Sequence, residues 1–227
     1  MDKDLKPNLD KQSTKTIAPH FPGGVMTPDD LRKIADLCEK YPESKIKLSG
    51  DLIIGGITDP ERNAEGRKLL RLPTYNVSGF SIRPIKICSG GYLCDNNVQD
   101  SFSLGLNLDR IFTNKPLPSK LIIAVSGCGR NCSEPLVKDI GIVSTPGGYS
   151  VYVGGTAGAK PRIAQKIIDQ LNEIQVIALV EKIVSVYESK GKARERLGSL
   201  IEKMGMDKFK AECGIGNDQA GMLNTEG

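Results

Sequence analysis

Tryptophan is absent from this chain, and histidine occurs once, as His20. With aromatics at 5% and a net charge of only +4, there is no basic, aromatic-interleaved stripe for nucleic acid. No apolar run approaches the ~18 residues that span a bilayer. The most apolar stretch, 176–186, is broken by Glu181 and Lys182. The chain opens MDKDLKPNLD, without the apolar h-region of a secretory leader. A cytoplasmic protein with reduced or metal-bound thiols is therefore expected, with no membrane or nucleic-acid partner and no disulfide framework. The glycine-rich stretch from Gly154 to Gly158 follows a strand pattern but is not G-x-G-x-x-G, so no nicotinamide or flavin fingerprint is present.

What is present is ordinary for a folded protein: 227 residues, 39% hydrophobic and 26% charged, enough for one large domain or two small ones. Residues 1–15 are polar and aperiodic and read as a disordered arm; 213–227 read as a flexible tail. Thr27-Pro28-Asp29-Asp30 opens a helix, with Thr as cap, Pro at the first turn and acids behind it. The segment 45–57 reads as two short strands around Gly50-Asp51, and Asp59-Pro60 starts a second helix ending near Leu70. Farther on, 95–112 reads as a helix with Val98, Phe102 and Leu106 on one face, and 120–126 as a buried strand. Strands follow at 139–143 and 149–153, joined by Thr145-Pro146-Gly147-Gly148. Three helices are expected at about 161–172, 175–190 and 192–204.

Four of the six cysteines fall into two tight pairs: Cys88 and Cys94 in CSGGYLC, and Cys128 and Cys132 in SGCGRNC. The spacing is C-x5-C, 33 residues, then C-x3-C. Soft thiolate ligands select iron–sulfur clusters or zinc over hard cations. A zinc knuckle pairs its ligands more closely than Cys88 and Cys94, and a simple ferredoxin has the compact C-x2-C-x2-C run that is missing here. Cys38 lies on an apolar helical face and reads as a core residue; Cys213 has no evident partner.

C-x5-C followed by C-x3-C resembles the sirohaem and [4Fe–4S] motif of the sulfite and nitrite reductases. The flanks extend the resemblance. Phe21-Pro22-Gly23-Gly24-Val25 resembles the opening of that family's ferredoxin-like half domain, and Arg83 stands in an R-x4-C arrangement before Cys88. Leu117-Pro118-Ser119-Lys120 resembles the strand before the second pair. Tyr152-Val153-Gly154-Gly155 and Lys160-Pro161-Arg162 resemble the segment that closes over the sirohaem.

The resemblance implies an α+β fold: a ferredoxin-like half domain over 16–75 and a sirohaem and [4Fe–4S] α/β domain over 76–212, forming one sulfite-reductase repeat. It implies Cys88, Cys94, Cys128 and Cys132 as cluster ligands, with Cys132 also contacting the sirohaem iron. Arg83, Lys120, Lys86 and His20 are the implied anion-binding and proton-donating groups. Lys47, Arg130, Asn131, Gly154, Gly155, Lys160 and Arg162 are the implied sirohaem contacts, with Gly158 beside them. Three features depart from the larger family members: Ile122 stands where they carry a second lysine, His20 stands where they tend to have an arginine, and 47–52 is short. The expected activity is six-electron reduction of sulfite to sulfide, with electrons from a ferredoxin-like donor and the site completed by a homodimer. Nitrite reduction on the same cofactors, and electron transfer without sulfite reduction, stay open as alternatives.

Overall fold

The computed structural model describes residues 16–48, 52–77 and 79–216. The arm at 1–15, the turn at Gly50-Asp51 and the tail beyond 216 lie outside these residues. Internal contacts divide the chain into two units, Met1–Gly79 and Phe80–Gly227. Among the described residues no helix is long and apolar enough to cross a membrane.

The first unit holds strand β1 (Thr16–Ile17), helix α1 (Pro28–Lys40), strands β2 (Lys45–Leu48) and β3 (Leu52–Gly55), and helix α2 (Pro60–Leu70). Its antiparallel sheet has the order β1-β3-β2. Helix α1 starts where the sequence signals it: the Thr27 side chain accepts from the Asp30 N–H, and the Asp30 carboxylate accepts from the Thr27 N–H. Asp59 caps α2 by accepting from the Arg62 N–H at 2.8 Å, without a reciprocal bond. Ile17, Ile34, Leu37, Tyr41, Ile54, Ile57 and Leu70 form the core, and Cys38 packs against it.

The second unit is built on a five-stranded sheet in the order β4-β5-β6-β7-β8. Strands β4 (Lys86–Ile87), β5 (Ile123–Ser126) and β6 (Ile140–Thr145) are parallel; β7 (Gly148–Val153) and β8 (Gln165–Leu171) are antiparallel to their neighbours. Every residue of β5 is buried, as a central parallel strand requires. Helices α3 (Ser101–Phe112), α4 (Glu173–Lys190), α5 (Leu197–Met204) and α6 (Met206–Glu212) complete the unit.

Four expectations change. Residues 161–172 are not a helix: Ile163, Ile167, Ile168 and Leu171 fit helical spacing, but β7 offers an unpaired edge and 165–171 take it as β8. Helix α3 begins at Ser101 with Asp100 as its cap, so Val98 lies outside it. Its buried face is Ser101, Leu104, Gly105, Leu108 and Phe112 instead of Phe102 and Leu106. The last expected helix, 192–204, begins only at Leu197, and a further helix follows it beyond Gly205, where φ is +87°. Finally, Cys213 and Ile215 belong to the core of the second unit and are no part of a loose tail.

Candidate metal centre

Strands β4 and β5 run side by side in the same direction, Lys86 opposite Ala124 and Ile87 opposite Val125. Cys88 follows the last residue of β4, and Cys128 lies two residues beyond β5. Parallel strands therefore deliver both cysteine loops to one edge, outside the carboxyl ends where open α/β sheets bind ligands. Helix α3 presses on this edge at Gly105, where a Cβ would come within 2.6 Å of the Ile87 side chain.

The loops then touch. Gly127 N–H donates to Cys88 Sγ at 3.0 Å, and Gly90 N–H to the same sulfur at 3.4 Å. A Cβ on Gly90 would stand 3.2 Å from the Gly127 Cα, so the loops meet glycine to glycine. The Val98 N–H closes the first loop over the second by donating to the Gly127 carbonyl at 2.8 Å. The second loop is tied down from behind by Ser133, whose hydroxyl donates to the Val125 carbonyl at 2.8 Å. Hydrogen bonds from Asn96, main chain first and then carboxamide, hold the Cys94 thiol below its ordinary pKa, and Arg130 adds a cation.

All four thiols are free. Cys88, Cys94 and Cys128 are half-buried and Cys132 is exposed. Among the described residues no three Cys, His, Asp or Glu side chains already stand as a metal-holding group. The donor set nevertheless fits an iron–sulfur cluster: four thiols on two touching loops, with N–H donors aimed at sulfur. Beside Cys132, the buried Oδ1 of Asn131 has no hydrogen-bond partner.

The other expected contacts separate into two groups. Arg130 and Asn131 lie with the cysteines, and Lys86 lies on β4 opposite Ala124. Arg83 and Lys120 do not join them. The Arg83 N–H donates to the Leu121 carbonyl, at the amino end of the strands. Lys120 is six extended steps from Ser126, ~20 Å at ~3.3 Å per residue. Strand β7 runs back along β6, with Val153 opposite Ile140, so Gly154, Gly155, Lys160 and Arg162 also follow at that far end. There Arg162 is bound to Glu202 and Ser199. The close approach at Gly155 is to protein, since a Cβ would meet the Lys138 carbonyl at 2.6 Å. In the first unit, the His20 N–H donates to Pro73 and its ring stands edge-on to Tyr75; Lys47 is on the exposed strand β2. The contacts from Gly90, Gly127, Val98 and Ser133 were not expected. Their glycines and serines are visible beside the cysteines, but nothing in the sequence states which loop they touch.

Comparison with known proteins gives the same picture. Residues 78–219 match the nitrite and sulphite reductase 4Fe-4S domain, and residues 9–59 match the nitrite/sulfite reductase ferredoxin-like half domain. The chain is 27% identical to an assimilatory-type sulfite reductase of Nitratidesulfovibrio vulgaris, over 87% of this chain and 91% of that protein. It is 32% identical to a nitrite reductase [NAD(P)H] of Bacillus subtilis, over 88% of this chain but only 25% of that protein's length. Among solved structures, dissimilatory sulfite reductase I shares the fold with a TM-score of 0.75 at 14% identity, covering 93% of this chain and 72% of the other. The NirA protein of Mycobacterium tuberculosis does so with a TM-score of 0.72 at 19%, covering 87% and 39%. A [4Fe–4S] cluster and sirohaem are the cofactors this kinship implies. With the family domain spanning both cysteine loops and most of the chain, the protein belongs to the nitrite and sulphite reductase family of oxidoreductases.

Proposed function

We propose that this chain reduces sulfite to sulfide, with Cys88, Cys94, Cys128 and Cys132 holding the [4Fe–4S] cluster. The observation that carries the reading is the meeting of the two cysteine loops at Gly90 and Gly127, at the carboxyl ends of two parallel strands. Sulfite is favoured over nitrite because the sulfite reductase relative is matched over nearly its whole length, whereas the nitrite reductase relative is about four times longer than the match. Sirohaem would supply an iron open to the anion, next to a cluster that supplies electrons one at a time.

The chain's own residues then have separate tasks. Cys132, the most exposed of the four thiols, is suited to being the sulfur shared between the two centres. Arg130 and the Asn131 amide, on the same loop, would hold carboxylates of the tetrapyrrole. Arg83, Lys120, Lys160 and Arg162 stand at the opposite end of the sheet, which favours a homodimer: cations from one copy would face the anionic centre of the other. There they would stabilise the bound anion and donate protons to its departing oxygens. Electrons would come from a ferredoxin-like carrier.

Anaerobically purified protein is expected to show a sirohaem absorption band and about four non-haem irons per chain. With reduced viologen it should form sulfide from sulfite. Ammonia from nitrite with no sulfide would replace this reading with nitrite reduction; neither product, from protein that carries both centres, would leave electron transfer as the function. A colourless protein with one zinc would sink the proposal.

A further inference from the structure

The sulfurs of the two cysteine pairs stand in different surroundings. Cys88 Sγ accepts from the Gly127 N–H at 3.0 Å and from the Gly90 N–H at 3.4 Å. Cys94 Sγ accepts from the Asn96 main chain and from the Asn96 carboxamide, whose Nδ2 lies 3.6 Å away. Among the described residues no N–H donates to Cys128 or Cys132. Three of these four donors are main chain, and the fourth is the Asn96 side chain. It is therefore the one N–H at sulfur that a substitution can remove without disturbing the backbone.

An exposed asparagine usually hydrogen-bonds water or backbone, not a thiol. Here the segment that carries it is fixed on both sides. The Cys94 carbonyl accepts from the Gly91 N–H at 3.4 Å, and the Val98 N–H donates to the Gly127 carbonyl at 2.8 Å. Between them the Asn97 carboxamide donates to the Gln99 carbonyl at 3.2 Å. The Asn97 Cβ lies 3.1 and 3.0 Å from where Gly90 and Gly127 would carry theirs. Asn96 is thus held against the sulfur, and its side chain makes no other hydrogen bond among the described residues. Reduction adds one negative charge to a cluster and its thiolates. A donor at sulfur stabilises that charge more in the reduced state than in the oxidised one, which raises the potential.

We propose that Asn96 is a potential-setting residue: its carboxamide N–H, donated to Cys94 Sγ, holds the cluster's reduction potential above the value an unbonded Cys94 would give. The step it favours is transfer of one electron from an external one-electron carrier, with no bond made or broken. The proposal rests on Cys88, Cys94, Cys128 and Cys132 being the cluster ligands and is independent of whether sulfite or nitrite is reduced.

Anaerobic redox titration of the purified holoprotein, followed by the electron paramagnetic resonance signal of the reduced cluster, tests it. Asn96→Ala removes the donor without adding charge; Asn96→Asp keeps the shape and puts an acceptor in its place. Iron and acid-labile sulfide per chain should match the parent in Asn96→Ala. Its one-electron reduction is expected to be about tenfold less favourable, a fall of about 59 mV, and that of Asn96→Asp less favourable still. An unchanged potential in fully loaded Asn96→Ala overturns the proposal, even with Asn96→Asp lowered, because added charge alone would then be acting. Loss of iron from Asn96→Ala also overturns it, since Asn96 would then hold the loop and not the potential. A parent protein without iron and acid-labile sulfide removes the ligand assignment itself, and so separates that failure from this one.

Discussion

The main-chain N–H of Gly127 donates to the sulfur of Cys88 at 3.0 Å, joining the two cysteine loops. An N–H aimed at sulfur is one of the levers that set a cluster's potential. The contact requires glycine: a Cβ on Gly127 would come within 2.8 Å of the Ser101 hydroxyl and 3.0 Å of Asn97. Gly127→Ala is therefore expected to push the loops apart, lower iron and acid-labile sulfide per chain several-fold, and cost about 1–3 kcal/mol of stability. Gly129, on the same loop, has nothing within 4 Å of its Cβ position, and Gly129→Ala should load normally. Equal iron in both variants would contradict the loop contact.

Helix α3 sets the height of the first loop through Gly105 and Ile87. A Cβ at 105 would lie 2.6 Å from Ile87, immediately before Cys88. Gly105→Ala should destabilise the second unit by about 1–3 kcal/mol through overpacking. Shortening the obstructing side chain in Gly105→Ala/Ile87→Ala should recover part of that loss, with a coupling of about 0.5 kcal/mol or more. Strict additivity in a denaturation double-mutant cycle would show that the two residues do not meet.

The elements most readable in the sequence are those with local chemistry. Thr27-Pro28-Asp29-Asp30 and Asp59-Pro60 specify their helix starts through groups three residues apart, so no distant partner is needed. The cysteine spacing likewise identifies a metal centre, because ligand type and number are sequence properties. What depended on distant pairing was hidden. Strand β8 reads as helix because only β7 makes it a strand. Cys213 reads as tail because its neighbours in the core come from elsewhere in the chain. The separation of Lys120 from the cysteine loops is hidden for the same reason: Lys120 and Cys128 are near in sequence, but a strand running between them holds them apart.

Asp139 is 1% exposed and bound by Arg196 through two nitrogens, at 3.2 and 2.6 Å, while also accepting from the Ile122 N–H at 2.8 Å. Burial raises its carboxyl above the usual range, and Arg196 is the strongest opposing influence. Arg196→Met removes that opposition and leaves a buried charge, a loss of about 3–5 kcal/mol near neutral pH. The sign with pH follows. A carboxyl whose folded pKa lies above its unfolded value favours folding once protonated and opposes it as pH rises through the folded pKa. The deficit of Arg196→Met relative to the parent should therefore be largest near neutrality and shrink as pH falls toward the unfolded carboxyl range. Asp139→Asn in the Arg196→Met background should remove most of the pH dependence. Urea melts of the three proteins across this range measure it; a deficit that grows on acidification would refute the assignment.

Cys132 and Cys213 make the sharpest contrast in thiol accessibility. Cys132 is exposed on the second loop, whereas Cys213 is 1% exposed in the core, where burial pushes its thiol up to about 12. Alkylation needs both access and thiolate, and Cys213 has neither. In folded, cluster-free protein at neutral pH, iodoacetamide should modify Cys132 well before Cys213, with Cys213 reacting only after denaturation. Loading the cluster should then protect Cys132 while leaving Cys213 as slow as before, since a metal-bound thiolate is blocked by its ligand bond and a buried thiol by the fold. Peptide mass spectrometry of the apo, loaded and denatured forms separates the two kinds of protection. Labelling of Cys132 at an unchanged rate in fully loaded protein would remove it from the ligand set, and with it the shared sulfur on which the proposed coupling depends.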